Sequence, residues 1–151
     1  MMAAMLLMLS GCMAQTNSSA EPQLSTRDEQ FSETENTESE DTMHLLIGKT
    51  EVPVTWEENA SVEALKALNP ITIQMSMYGG FEQVGPVGQR IVHDDVQTDT
   101  SYGDIVLYSG DQIVIFYGSN SWAYTRLGHV NLSQQEMREL LSNGDVVITL
   151  L

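Results

Sequence analysis

The chain has 151 residues, the length of about one domain, and sets six Lys plus Arg against 21 Asp plus Glu for a formal net charge of −15. A nucleic-acid binder neutralises phosphates with clustered Lys and Arg, and the few here are scattered, so that class is excluded, as is a polybasic membrane patch. The acidity is divided: residues 13–42 carry eight acids and one base, residues 43–151 thirteen acids and five bases.

The chain starts with MMAAMLLMLS, an apolar run the length of a signal-peptide h-region and far short of the roughly 20 residues of a spanning helix. No Lys or Arg precedes it. Leu9-Ser10-Gly11-Cys12 follows and resembles the lipobox of bacterial lipoproteins, in which small residues before a Cys admit a dedicated peptidase. The resemblance implies cleavage after residue 11 and a lipid (diacylglyceryl and palmitate chains) at Cys12. Because Cys12 is the only cysteine, no intramolecular disulfide can form. These features predict a lipid anchor in the cell membrane or outer membrane, with the chain facing outside the cytoplasm.

Residues 12–42 are rich in Ser, Thr, Glu and Gln, with Leu24 and Phe31 as the sizeable apolar groups. So little apolar surface does not offset an ordering cost of about 1–2 kcal/mol per residue. The segment is expected to be a disordered acidic spacer, extended by its own charge.

Residues 43–151 are expected to fold. Ile71, Ile73, Met75 and Met77 alternate with Thr72, Gln74, Ser76 and Tyr78, the period of a half-buried strand. Denser apolar runs at 105–108 and 113–117 flank Ser109-Gly110-Asp111-Gln112 and predict a hairpin. Further strands are expected at 43–47, 51–56, 121–127 and 146–150. A helix at 61–68 places Val62, Leu65 and Leu68 on one side and stops before Pro70. Ser133-Gln134-Gln135-Glu136 reads as a capping box, with Leu132 and Met137 as its staple and Met137, Leu140 and Leu141 as the buried face, and Asn143-Gly144 ends that helix. Many short strands with two amphipathic helices point to a mainly β barrel or sandwich.

The series Met77-Tyr78-Gly79-Gly80-Phe81-Glu82, Gly103-Asp104-Ile105-Val106-Leu107-Tyr108 and Phe116-Tyr117-Gly118-Ser119-Asn120-Ser121-Trp122 resembles the bacterial cyclophilin-like domain family. The resemblance covers essentially residues 43–151 and implies a small closed eight-stranded β-barrel capped by two short α-helices. Cyclophilins proper are peptidyl-prolyl isomerases that place an Arg at the prolyl amide, in a Phe-His-Arg strand followed by Gln-Gly-Gly. Neither motif occurs here, so no catalytic residue carries over by matching.

Arg90, after the glycines at 85 and 88, and Arg126, beyond Trp122 and Tyr124, are the basic candidates for such a role. Tyr78, Phe81, Phe116, Tyr117 and Trp122 are candidates for lining a groove. The alternative places Phe116 and Trp122 in the core and pairs Arg126 with Glu136 or Glu139. The stretch between Gly79 and Gly88 holds four glycines and Pro86 and reads as a long loop, a place where barrels carry binding functions. His44, His93 and His129 are far apart, and no metal, cofactor, nucleophile or phosphate loop is called. A helper to a redox partner is a further possibility, though no flavin site is visible. The expectation is an anchored domain that binds a peptide or small-molecule ligand, with a prolyl isomerase acting on exported proteins as the alternative.

Overall fold

A computed structural model describes residues 42–151. The leader, Cys12 and all of the acidic spacer but Thr42 lie outside the described residues. The fold begins with three short strands, β1 (Leu45–Ile47), β2 (Thr50–Val52) and β3 (Val54–Trp56). The single strand expected at 51–56 is divided at Pro53, which has no N–H to give to a ladder. Helix α1 (Ala60–Lys66) follows, then β4 (Ile71–Tyr78), β5 (Glu82–Pro86), β6 (Val96–Asp99), β7 (Asp104–Tyr108), β8 (Gln112–Phe116), β9 (Ser121–Val130), helix α2 (Gln134–Leu141) and β10 (Val146–Leu150).

Every pairing is antiparallel, and the path of the sheet runs β2-β1-β10-β4-β5-β8-β7-β9-β3, with β6 paired to the first four residues of β9. Its two end strands, β2 and β3, are consecutive in the chain and separated only by Pro53. One bent segment thus pairs with β1 on one side and β9 on the other, and draws the edges into a nearly closed, mainly β barrel. Nine strands lie on the path. Counted as one bent strand, β2 and β3 bring that to the eight expected. Closure in this way leaves little open edge for pairing with other chains.

The interior is aliphatic. Leu45, Ile73, Ile105, Leu107, Ile113, Ile115, Leu127, Ile148 and Leu150 meet there, joined by Val62 and Leu65 of α1 and Met137 and Leu141 of α2. Chain order sets the helices at opposite ends of β4: α1 leads through Asn69-Pro70 into Ile71, whereas α2 leads through Asp145, which binds the backbone N–H of Met77. Each helix is fixed by its caps. Asn59 Oδ1 accepts from the Val62 N–H at 3.0 Å and its Nδ2 donates to the Arg126 carbonyl at 2.9 Å. The box predicted on α2 is present, with the Ser133 N–H donating to Glu136 Oε2 at 2.8 Å and Ser133 Oγ accepting from the Glu136 N–H. At its other end the buried Gln83 amide donates to the Leu141 and Gly144 carbonyls, satisfying groups that a helix terminus leaves open.

The stretch expected to be a loop between Gly79 and Gly88 is instead mostly strand. Gly79 (φ 61°) and Gly80 (φ 73°) make a tight turn, and β5 then pairs with β4 and, through all five of its residues, with β8. Gly85 is there for closeness rather than for a turn: a Cβ on it would stand 2.6 Å from the Gln74 carbonyl oxygen and from Met75 Sδ. Glycine in a strand marks such an approach of neighbouring chain as often as it marks a turn. Among the described residues no helix is long and apolar enough to cross a membrane.

Candidate functional site

Side chains alternate across a strand, so β7 and β8 present Val106, Val114 and Phe116 to the outer face of the barrel while their neighbours face inward. These outward residues are buried too. With Tyr124 of β9 they form a second apolar layer, against which Phe81 and Val84 pack. Strands apolar on both faces are strands with something on both sides. The layer does not end flush. Above it lies a pocket of about 560 Å³, within the range for small-molecule sites.

The pocket has aromatic walls and a carboxyl in its lining. Tyr78 at the end of β4, Tyr108 at the end of β7, and Trp122 and Tyr124 of β9 surround it, while Val84 of β5 and Val114 of β8 lie between. Tyr124 is locked in place: its ring meets Tyr108 and Phe116 edge-on, with centroids 6.1 Å and 5.8 Å away, and its hydroxyl accepts from Asn120 Nδ2 at 3.0 Å. Tyr78 and Trp122, in contrast, are 66 % and 57 % exposed, a large apolar area for rings that face a cavity.

Glu82 also lines this pocket. It opens β5 opposite Tyr78 and Phe116, is only 5 % exposed, and its Oε2 is buried with no hydrogen-bond partner. Burial pushes its pKa up to about 7. Burial also raises Tyr117 and Tyr124, and the nearby Glu82 charge adds to both. The lining contains no Lys, Arg or His; its polar groups are Glu82, Gln112, Asn120, the Trp122 indole N–H and the tyrosine hydroxyls.

The residues singled out from the sequence separate into three places. Tyr78 and Trp122 line the pocket; Phe116 lies fully buried in the layer below and Phe81 packs at that layer's edge. Tyr117 faces the interior cluster, its hydroxyl buried and unpartnered. Trp122 is therefore not a core residue, because β9 turns it outward opposite Thr98 of β6. The arginines lie away from the pocket. Arg90 faces Asp111 at 3.7 Å. Arg126 pairs with neither Glu136 nor Glu139: its Nη1 is 3.3 Å from Asp104 Oδ2 and its Nη2 donates to the Asp99 carbonyl at 2.8 Å, beside a separate hollow of about 650 Å³. β9 and β7 are neighbours, so Asp104 is near in space although distant from α2 in sequence.

Glu82 and Asn120 supply polar groups of the pocket and stand in the motifs quoted above, yet no local pattern marks them as site residues. Had 82–86 been read as a strand, Glu82 would have fallen on the same face as Val84, a carboxyl in an apolar row. The three histidines each sit beside a carboxylate, His44 by Glu51, His93 by Asp95 and His129 by Asp104. No three metal-ligating side chains group together among the described residues.

A nearly closed, mainly β barrel joined by a bent strand and carrying two short helices is a cyclophilin-like fold. The sequence matches the cyclophilin-like family over residues 45–151, and the chain belongs to that family. No curated protein matches it.

Proposed function

We propose that the protein is a lipid-anchored binding module that faces outside the cytoplasm and takes a peptide segment or small ligand in the pocket on the outer face of its barrel. The observation that carries this reading is the pair of exposed rings, Tyr78 and Trp122, standing over an apolar hollow with a rigid Tyr124 wall. Exposed aromatics give large contact area at small entropic cost, and a fixed wall makes the site ready before a ligand arrives.

Tryptophan emission tests it, because the chain has two tryptophans and Trp56 is tied by its Nε1–H to the Met43 carbonyl. In a Trp56→Phe background, a panel of short peptides and small aromatic or amine compounds is expected to shift Trp122 emission saturably. Trp122→Ala is expected to abolish binding while leaving stability within about 0.5 kcal/mol, as for an exposed side chain. A panel that never perturbs Trp122 sinks the reading. Accelerated cis–trans exchange of a proline peptide, lost on changing pocket residues, would replace it with the isomerase. The donors available for that chemistry in the pocket are the Asn120 and Gln112 amides, the Trp122 indole N–H and the tyrosine hydroxyls.

The anchor rests on Leu9-Ser10-Gly11-Cys12 and the uniqueness of Cys12. Two acyl chains give stable attachment where a single one does not. Membrane fractions should retain the protein, and Cys12→Ser should release it; an unmodified Cys12 thiol by mass spectrometry refutes the anchor.

A further inference from the structure

We propose that the ligand of the outer pocket is an organic cation, a protonated alkylamine of the kind at the end of a lysine side chain, seated over Glu82 and between the rings of Tyr108, Trp122 and Tyr124. The inference rests on the binding reading above and names the chemistry that the pocket selects.

Four observations converge. The first is an orphan: Glu82 is 5 % exposed, lines the pocket, and has an oxygen shut off from water without a partner. Buried polar groups are nearly always satisfied, and one that is not asks for a missing partner. The second is the charge of the lining, which holds no Lys, Arg or His to play that part. The third is the ring set. Aromatic faces attract ammonium groups, more strongly where water is excluded, and a carboxylate beneath rings is suited to a cation and repels an anion. The fourth is the field of the chain, whose formal charge of −15 draws cations and turns anions away. The volume of about 560 Å³ accommodates an amine with the body that bears it.

Proton linkage follows from the same contact. The titratable groups that line the pocket with Glu82 are Tyr78 on β4, Tyr108 on β7 and Tyr124 on β9, and Tyr117, on the interior side, feels the Glu82 charge. An amine needs the carboxylate, so below about pH 7 its binding must release the Glu82 proton. Amine affinity should therefore rise about tenfold from pH 6 to pH 8 and level off above.

The test titrates the intact protein with N-acetyl-lysine methylamide, its neutral isostere N-acetyl-norleucine methylamide, and free butylamine, by calorimetry and by Trp122 emission. The lysine derivative is expected to bind about tenfold or more tightly than the norleucine derivative. Glu82→Gln should erase that preference. Butylamine matching the lysine derivative assigns the site to free amines, and a much weaker butylamine assigns it to peptide-borne lysine; both support the cation. Norleucine binding as well as lysine overturns the cation and leaves the binding reading standing. A preference for lysine that persists in Glu82→Gln, or that is flat between pH 6 and 8, also overturns it. If no probe perturbs Trp122 or gives heat, both readings fall together.

Discussion

Two carboxylic acids of the barrel are buried to nearly the same degree, Glu82 at 5 % exposure and Asp104 at 6 %, and their surroundings are opposite. Asp104 is saturated. Its Oδ1 meets His129 Nδ1 at 2.8 Å, while its Oδ2 accepts from the Ser101 N–H at 2.9 Å and faces Arg126 Nη1 at 3.3 Å. Glu82 has four aromatic residues for company in its pocket and an oxygen with no donor. A charge withdrawn from water must be compensated, and where the fold supplies every partner the group serves the fold. Where the fold supplies none, the group carries a standing cost that only a proton or a ligand relieves. The barrel thus holds one carboxyl that ties β7 to β9 and one that the fold leaves without a partner.

The largest expected effect is the pH dependence of stability that Glu82 imposes. Its folded pKa of about 7 exceeds the ordinary 4.5, so between those values the native state binds more protons than the unfolded chain. Stability must then fall as pH rises through this window and level off above 7. Between pH 5 and pH 8 the loss is roughly 2–3 kcal/mol, from about 1.4 kcal/mol per pKa unit. Urea unfolding across that range should show the decline in the native protein and not in Glu82→Gln, which becomes the more stable of the two at pH 8. If the two proteins keep the same spacing at every pH, Glu82 is satisfied in solution and the contrast with Asp104 collapses.

The contrast also explains which parts of the molecule were legible in the sequence. Period-two alternation at Ile71–Tyr78 and the Ser133–Glu136 box are local signals, and the strand and the capped helix formed as those signals require. β5 hides from a sequence reading because Gly85 and Pro86 look like turn residues, whereas Gly85 answers to the close approach of β4. β6 carries no local signal, because Val96-Gln97-Thr98-Asp99 has a single buried member, Thr98, and owes its pairing to β9. The pocket was half legible. Tyr78 and Trp122 were named from their motifs, but their meeting depends on a sheet order that sets β4 and β9 on either side of β5, β8 and β7. For Arg126 the alternative reading reaches to carboxylates near it in sequence, whereas strand pairing brings it to one 22 positions away.

A smaller effect tests the other half of the comparison. Asp104→Asn keeps the shape and removes the charge, leaving Arg126 and His129 without a carboxylate. Hydrogen bonds to a charged group contribute about 1.5–3 kcal/mol. The low end applies here, because the Arg126 and His129 side chains are 44 % and 40 % exposed and recover part of the loss from water. Urea midpoints should drop by the equivalent of about 1.5 kcal/mol, with amine and norleucine affinities at the outer pocket unchanged within twofold. Asp104→Asn would have to leave stability intact and alter pocket binding for the division between a structural and a receptive carboxyl to be wrong, since neither Asp104 nor Arg126 lines that pocket.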